Sequence, residues 1–322
     1  MFAVYAERFS SDDPLSGLVV GERPEPEVPD GWTTVSVKAA CLNHHDLWSL
    51  RGVGLREEQL PMILGCDAAG IDEDGNEVLV HAVISDPAWR GDETEDPRRS
   101  LLSERFQGTF AERVAVPRSN IVPKPASLSF AEAACLPTAW LTAYRMLFVQ
   151  GDLKPGQTVL VQGAGGGVAT ALIALARAGG LQVIATSRDE AKRERALEIG
   201  AHATYETGAR LPDRVDAVME TVGAATWNHS LRSLRPGGTV VISGATSGPN
   251  PDSTELNRIF FLQLRVIGST MGTSGELGRL VSFLDATGTR PIVDRTLPMD
   301  EARDGFAAMN GGDVFGKIVF TR

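Results

Sequence analysis

The order of apolar and polar residues changes character along the chain. The first third contains short runs that alternate between the two, such as TTVSVKAACL and NEVLVHAVI, and Gly, Pro and Asp separate these runs. Alternation with a period of two is typical of strands that bury one face. This part of the chain is therefore predicted to form a compact, barrel-like β-domain. The segment between His81 and Gly108 is charged, proline-containing and aperiodic, which indicates a long surface loop.

The middle of the chain has a different pattern. A stretch with helical spacing runs from Ala131 to Leu147, and four near-continuous apolar runs follow it: QTVLVQG, LQVIATS, VDAVMETVG and GTVVISGA. Helix-length segments separate these runs. Strands buried on both faces have this composition, and alternation with helices predicts a parallel sheet. The predicted fold class is therefore α/β, with a doubly wound parallel sheet beside a β-rich domain.

The C-terminal part returns to mixed elements. It contains a helical stretch (GELGRLVSFLDATG), short strands from Pro291 to Leu297, a helix from Glu301 to Met309 and a final strand, GKIVFTR. A chain of 322 residues exceeds the size of one ordinary core, so two domains are expected. We expect the tail to pack with the first domain, which gives domains of residues 1–120 with 271–322, and 121–270.

Composition narrows the class of protein. A formal net charge of -10 and a pI near 5.1 argue against a nucleic-acid-binding surface and favour a small-molecule partner. No run of about 18 apolar residues is present, so we expect no membrane association and place the protein in the cytoplasm. Cys41, Cys66 and Cys135 lie far apart without a CxxC pair, which indicates reduced, buried thiols.

A glycine cluster follows the first buried strand. The strand VLVQ runs directly into GAGGGVATALIALA, where an amphipathic helix is predicted to begin. A pyrophosphate approaches backbone N–H groups closely only where side chains are absent, and a helix N-terminus attracts its charge. The alternative is a loose strand-to-helix turn, but the strand–glycines–helix–strand context favours a phosphate loop. The predicted cofactor-binding residues here are Gly163, Ala164, Gly165, Gly166, Gly167 and Val168, with the register of the fingerprint left open.

The end of the second buried strand distinguishes between the two nicotinamide cofactors. An acidic residue there accepts hydrogen bonds from the ribose of NAD, whereas the 2′-phosphate of NADP requires cationic and hydroxyl groups. This chain has Ser187 at that position, with Arg188 beside it and Lys192 one helical turn further on. The alternative is a solvated helix face that carries Arg188, Lys192 and Arg193. Beside the phosphate loop, the pattern predicts NADPH.

An ordered series of segments resembles the medium-chain dehydrogenase/reductase superfamily, and within it the zinc-independent, quinone oxidoreductase-like (zeta-crystallin-like) branch. The segments are AACLNHHDLWSLRG, LPMILGCDAAG, GTFAERV, ACLPTAWLTAYRML, the phosphate loop, LRPGGTVVISG, RVIGSTMG and FGKIVF. The resemblance implies a GroES-like substrate domain, a Rossmann domain and a cleft that holds the nicotinamide. It also implies a homodimer formed by extension of the nucleotide-domain sheets.

The resemblance also bears on metal binding. Zinc alcohol dehydrogenases of this superfamily hold the catalytic metal with a Cys, a His and a second Cys, which match Asn43, Cys66 and Thr138 here. Only Cys66 is a zinc ligand by type, and the charged loop lacks the cysteines of the structural zinc lobe. His44 and His45 are adjacent, and in extended chain they would point to opposite sides. We therefore expect no metal.

Further site residues follow from the resemblance. Asn43 matches a residue that orients the nicotinamide carboxamide or the substrate carbonyl, unless it is a satisfied loop asparagine. Thr142 matches a contact to the nicotinamide edge, the alternative being a helix threonine that bonds to its own backbone. Tyr205 matches a residue beside the adenosine phosphate, the alternative being core packing. Trp48 stands where zeta-crystallin-like members place a tyrosine. Other expected cofactor-binding residues follow strand ends or match cleft-lining segments: Val222, Gly223, Gly244, Ala245, Ser269, Thr270, Met271, Phe315, Gly316 and Lys317.

The function expected on this basis is hydride transfer from NADPH to a quinone or an α,β-unsaturated carbonyl without zinc. Conjugated acceptors spread the developing negative charge, so hydrogen bonds from Asn43 or His45 suffice. The expected proton donor is a water molecule, His45 or Asp46. Two alternatives remain: an enoyl-thioester reductase of the same superfamily, and a non-catalytic NADPH-binding sensor or structural protein.

Overall fold

The computed structural model describes all residues, Met1–Arg322. Its strands are β1 Phe2–Ala6, β2 Leu18–Glu22, β3 Trp32–Cys41, β4 Met62–Ile63, β5 Asp67–Asp72, β6 Glu77–Val80, β7 Val83–Ile84, β8 Ser100–Leu101, β9 Arg113–Pro117, β10 Ile121–Pro123, β11 Thr158–Gln162, β12 Gln182–Thr186, β13 Ala203–Tyr205, β14 Val215–Glu220, β15 Leu234–Ile242, β16 Arg265–Gly268, β17 Val293–Pro298 and β18 Lys317–Thr321. Its α-helices are α1 His44–Leu50, α2 Phe130–Ala133, α3 Leu141–Tyr144, α4 Gly167–Ala178, α5 Glu190–Glu198, α6 Trp227–Ser233, α7 Leu256–Phe261, α8 Ser274–Thr287 and α9 Ala302–Gly311. None of these helices has the length and apolar character that crossing a bilayer requires.

The chain divides into two compact units, Met1–Ala139 with Gly272–Arg322, and Trp140–Met271. The first boundary therefore falls after residue 139 rather than after residue 120 as expected. The reason is contact with the first unit: β10, which follows residue 120, pairs with β6, and α2 packs against β3 and β5. Polar backbone groups of such a short strand need a partner, and β6 supplies it.

The first unit is built from β-strands. Its largest sheet has the order β10-β6-β5-β3-β18-β17, with β9 also paired to β3, and a smaller sheet has the order β2-β1-β4. The final strand β18 pairs antiparallel with β3, with Val319 opposite Cys41. The aromatic rings of Phe110, Phe306 and Phe320 pack together in the core of this unit. The C-terminal strand thus brings residues from the end of the chain beside residues near position 41.

The segment predicted as a long surface loop is partly ordered by strand pairing. β7 and β8 pair antiparallel near its two ends, with Val83 opposite Leu101. Trp89 donates from Nε1 to the carbonyl of Asp92, and Asp96 accepts from the backbone N–H of Asp86. Local hydrogen bonds of this kind can order a loop whose sequence shows no apolar periodicity.

The second unit contains the parallel sheet that the apolar runs predicted. Its strand order is β13-β12-β11-β14-β15-β16, and all neighbouring strands are parallel. The chain starts near the centre with β11, runs outward to β13, and then crosses to β14 on the other side. The order of the strands therefore reverses between β11 and β14, where doubly wound sheets bind ligands.

The helix predicted from Ala131 to Leu147 is irregular. α2 and α3 are separated by a wide turn over Leu136–Trp140, and a second wide turn spans Arg145–Gln150. Pro137 lies in the first of these. Because proline has no N–H and its ring clashes with the preceding turn, a regular α-helix cannot continue through it.

Candidate functional site

The residues predicted to bind a cofactor follow the carboxyl ends of the parallel strands. The strand register aligns the last residues of neighbouring strands in the pairs Gln162–Thr186, Thr186–Tyr205, Glu220–Ile242 and Ile242–Gly268. The chain therefore leaves the sheet at one common edge. This edge carries Gly163, Ser187, Val222, Gly223, Gly244, Ala245 and Ser269.

The glycine cluster forms the turn between β11 and α4. Gly163 has a φ of +79°, a conformation that side chains strongly disfavour. Gly166 is the N-cap of α4, so the unpaired N–H groups of the first turn, which includes Gly167 and Val168, begin there. A Cβ atom on Gly165 would lie 2.7 Å from Cδ and 3.2 Å from Nζ of Lys192. The lysine side chain therefore lies against the glycine turn. From the sequence, this proximity was only an inference.

The end of β12 is held by local hydrogen bonds. Oγ of Ser187 accepts from the backbone N–H of Asp189, and the Asp189 carboxylate caps α5 by accepting from the N–H of Lys192. Nη1 of Arg193 donates to the carbonyl oxygen of Ser187. This bond holds the guanidinium of Arg193 on the backbone, whereas Arg188 is exposed on the surface.

A buried carboxylate organises the loop after β14. Glu220 accepts hydrogen bonds from the backbone N–H groups of Val222 and Gly223, at 2.8 and 3.0 Å. Its other partners are the hydroxyls of Thr226 and Ser230. The sequence reasoning missed this residue, although a second acid near the end of the apolar run VDAVMETVG was a signal. Glu220 thus sets the conformation of two predicted cofactor-binding residues.

The last residues of this edge lie around β16. Oγ of Ser269 is buried and has no hydrogen-bond partner, which is costly unless a ligand supplies one. Met271, two residues later, has a positive φ of 41°. Thr142 is buried in α3. The glycine turn at a helix N-terminus, the neighbouring lysine and the orphaned hydroxyl together fit a nicotinamide dinucleotide.

In the first unit, Asp46 stabilises the loop before α1. Its carboxylate accepts from the backbone N–H of Asn43 at 2.8 Å and from that of Gly65 at 2.9 Å. The side chain is fully buried. Both oxygens therefore serve the backbone, which is a structural role. His44 and His45 begin helix α1 rather than lying in extended chain, so they point about 100° apart.

Asn43 lies in a buried polar cluster. Its amide Nδ2 donates to the carboxylate of Asp67 at 2.8 Å and to the carbonyl of Cys41 at 3.2 Å, and its Oδ1 accepts from Nζ of Lys317 at 2.6 Å. The Thr138 hydroxyl donates to the other Asp67 oxygen. Both N–H groups of Asn43 are therefore engaged, and Oδ1 alone retains a lone pair for a further contact.

Lys317 reaches this cluster because of the turn that precedes β18. Gly316 has a φ of +110°, and a Cβ there would lie 2.4 Å from the carbonyl oxygen of Ile292. The backbone N–H of Phe315 donates to Asp294. Burial lowers the pKa of Lys317, but the surrounding thiols and the Asp67 carboxylate outweigh burial and hold that pKa above its usual value.

His45 belongs to a second cluster, together with Cys66 and Glu104. Nε2 of His45 lies 3.1 Å from Oε1 of Glu104, and Nδ1 lies 3.4 Å from Sγ of Cys66. The side chains of His45 and Glu104 are 23% and 28% exposed, so this cluster is in contact with solvent. Burial lowers the pKa of His45, but Cys66, Asp46 and Glu104 together raise it well above 6.5. The direction of this shift favours the protonated imidazole, which can donate a proton.

These two clusters do not fit a catalytic zinc at the expected ligand positions. Asn43 and Thr138 donate to Asp67, and Cys66 instead contacts His45 and the carbonyl of Leu102. Ligand atoms of His45, Asp46 and Cys66 do lie within 4.8 Å of one another. However, both Asp46 oxygens are engaged by backbone N–H groups, and in the metal-free protein burial raises the pKa of Cys66 to about 11.

Two family models match the chain. "Alcohol dehydrogenase GroES-like domain" covers residues 29–126, and "Zinc-binding dehydrogenase" covers residues 167–286. Together with the relatives below, these matches show that the chain belongs to the medium-chain dehydrogenase/reductase superfamily. The expected fold class, a GroES-like domain and a Rossmann-type parallel sheet, is confirmed.

The relatives differ in the reactions for which they are named. A zinc-type alcohol dehydrogenase-like protein of Schizosaccharomyces pombe is 29% identical over 98% of this chain and 99% of its own length. A crotonyl-CoA carboxylase/reductase of Cereibacter sphaeroides is 30% identical (77% of this chain, 70% of its own), and a quinone oxidoreductase of Mus musculus is 27% identical (88% and 87%). The crystal structure of an NAD-dependent alcohol dehydrogenase superposes with a TM-score of 0.91 at 32% identity and covers 100% of both chains.

Proposed function

We propose that this protein is an NADPH-dependent oxidoreductase that transfers hydride to a quinone or another α,β-unsaturated carbonyl without zinc. The observation that carries the proposal is the buried cluster of Asn43, Asp67, Thr138 and Lys317. Two of these residues stand at the positions of zinc-binding cysteines, and both donate to a carboxylate instead. An acceptor that needs a Lewis acid to stabilise an alkoxide is therefore a poor substrate.

The phosphate-binding groups support NADPH as the cofactor. Residues Gly163–Val168 would hold the pyrophosphate at the N-terminus of α4. Ser187, Arg188 and Lys192 would bind the 2′-phosphate, because two cations and a hydroxyl replace the acid that NAD prefers. The contact of Lys192 with the glycine turn places its ammonium beside that loop. The bound cofactor supplies the hydride from its dihydronicotinamide ring.

His45 is the proton donor in this proposal. Its pKa lies well above 6.5, its side chain is partly exposed, and Glu104 links it to solvent. Asp46 is unsuited to this role, because it is fully buried and both of its oxygens accept from backbone N–H groups. Asn43 orients a reacting group through its remaining Oδ1 lone pair. The protein thus supplies orientation and a proton, which is sufficient for a conjugated acceptor.

An enoyl-thioester reductase is the second candidate function. The relative named crotonyl-CoA carboxylase/reductase favours it, because crotonyl-CoA is itself an α,β-unsaturated carbonyl compound. The two candidates share the hydride step and differ only in what the acceptor carries. Rates with a free enone and with the matching enoyl-CoA thioester distinguish them.

We also propose a homodimer. β16 is the outer strand of the parallel sheet, so its edge is available for pairing with a second copy. Helix α7, which immediately precedes β16 in the chain, exposes Leu256, Phe260 and Phe261, at 66%, 67% and 79%. A cluster of exposed apolar side chains of this size is typical of an interface.

The test of the proposed reaction compares matched acceptors. Specificity constants are measured with NADPH for an enone and for its saturated ketone. We expect the enone to react at least about 100-fold faster, because conjugation replaces the missing Lewis acid. Equal constants would refute the proposal, and turnover of neither acceptor would favour a non-catalytic NADPH-binding protein.

A further inference from the structure

The cluster around Asp67 contains a built-in cation. The side chain of Lys317 is 3% exposed, that of Asp67 is fully buried, and their Nζ and Oδ2 atoms are 3.7 Å apart. Nζ also donates to the carbonyl of Leu42 at 2.8 Å and to Oδ1 of Asn43 at 2.6 Å. The two zinc-ligand positions, Asn43 and Thr138, both donate to the carboxylate that the ammonium neutralises.

The charges of this cluster depend on one another. A buried carboxylate without a positive partner is very costly, and hydrogen bonds from Asn43 and Thr138 do not cancel its charge. With Lys317 the net charge is zero. A divalent cation added beside the ammonium would create a buried excess of positive charge, which the low effective dielectric does not screen.

We propose that Lys317 is the resident cation of this site and that its ammonium excludes divalent metals from it. This inference rests on the proposed metal-independent function and explains how the fold maintains it. An ammonium has N–H donors and no vacant coordination position, and two of its donors are already engaged. Lys317 therefore neutralises Asp67 and donates to Oδ1 of Asn43. Its role is that of a positioning residue.

The experiment restores metal ligands with and without the ammonium. Asn43→Cys/Thr138→Cys places two thiols beside Asp67, and a third substitution, Lys317→Met, removes the cation. Cobalt(II) is titrated into each purified variant, and thiolate-to-cobalt charge-transfer absorption and bound metal after dialysis are measured. We expect the triple variant to bind cobalt at least about 100-fold more tightly than the double variant.

A matched control uses the other lysine buried in this unit. Lys124 is 4% exposed and pairs with Glu77 rather than with Asp67. Adding Lys124→Met to the two cysteine substitutions should leave cobalt affinity unchanged. Equal cobalt affinity of the double variant and the Lys317→Met triple variant, or stoichiometric zinc in dialysed wild-type protein, would overturn the inference.

If the cysteine variants do not fold, a double-mutant cycle measured by melting temperature tests the charge pair instead. Lys317→Met and Asp67→Asn should each lower the melting temperature, and Lys317→Met/Asp67→Asn should recover most of the loss, since no charge is left unpaired. Additive losses would contradict the pairing. Neither experiment uses a substrate, so failure to reduce enones would refute the proposed function and leave this inference standing.

Discussion

His45 and Glu104 are joined by a contact of 3.1 Å between Nε2 and Oε1, although 59 residues separate them in the chain. Helix α1 carries the histidine. The glutamate lies in the turn that follows β8, at the end of the charged loop. The pair connects the proposed proton donor with solvent. It also makes the protonation of His45 depend on a residue that is distant in the chain.

The pair predicts the pH dependence of turnover. If His45 donates the proton, kcat for an enone falls as pH rises through its elevated pKa, because the imidazolium is lost. Glu104→Gln removes one group that raises this pKa and should shift the falling limb to lower pH. His45→Ala should lower kcat by about 100-fold or more and abolish the limb. Glu57→Gln, at another exposed position, is the control, and an unshifted limb in Glu104→Gln would remove Glu104 from the mechanism.

Cofactor selectivity is the second prediction. Ser187→Asp keeps an acceptor for the N–H of Asp189 but adds a charge that repels a 2′-phosphate. The ratio of the dissociation constants of NADH and NADPH should fall at least about tenfold, which corresponds to one charge-assisted contact. Lys192→Gln should weaken NADPH more than NADH, whereas Lys154→Gln, before β11, should affect neither. Calorimetry measures the binding of both cofactors to the wild type and to these three variants. Unchanged selectivity in Ser187→Asp would reject the NADPH assignment.

Stability below neutral pH should depend on His81. This residue is buried, and its Nε2 bonds to the carbonyl of Gly272; burial lowers its pKa below 6.5 despite nearby Glu93 and Glu276. As pH falls below 6.5, the unfolded chain takes up a proton that the folded chain does not, so stability is lost, by at most about 1.4 kcal/mol per pH unit. Above 6.5 this contribution is constant.

Urea unfolding of wild type and His81→Gln between pH 5 and 8 isolates this effect. Glutamine retains an N–H donor but does not titrate, so the difference between the two proteins should shrink as pH falls. A difference that is independent of pH would show that His81 titrates alike in both states.

The fourth prediction concerns the dimer. Phe261→Glu places a charge in the exposed apolar group on α7 and should convert the dimer to a folded monomer, since a buried unpaired charge is costly. Leu197→Glu, at another exposed apolar position that lies on α5, should remain dimeric. Light scattering at micromolar concentration gives the mass of each. A monomeric wild type, or a dimeric Phe261→Glu, would contradict the proposed interface.

Local patterns carried the prediction of the nucleotide-binding half. The strand, glycine turn and helix around Gly163 are contiguous, so their apolar periodicity and glycine spacing were visible without tertiary information. The helix from Ala131 to Leu147 was less regular than predicted, because Pro137 changes the turn geometry. The boundary after residue 120 also differed, because β10 pairs with β6, whose residues lie 41 to 45 positions earlier in the chain.

By itself, the sequence determined the α/β class, the parallel sheet and the common edge of that sheet where we propose that a dinucleotide binds, because these depend on periodicity and on residues close together in the chain. Only the tertiary structure decided how Asn43, His45 and Asp46 differ in role. Lys317 reaches Asn43 across 274 residues through the pairing of β18 with β3, and Glu104 reaches His45 from an aperiodic loop. Such contacts leave no periodic signal, since they depend on strand pairing between distant segments and on the charge balance of the buried groups they bring together.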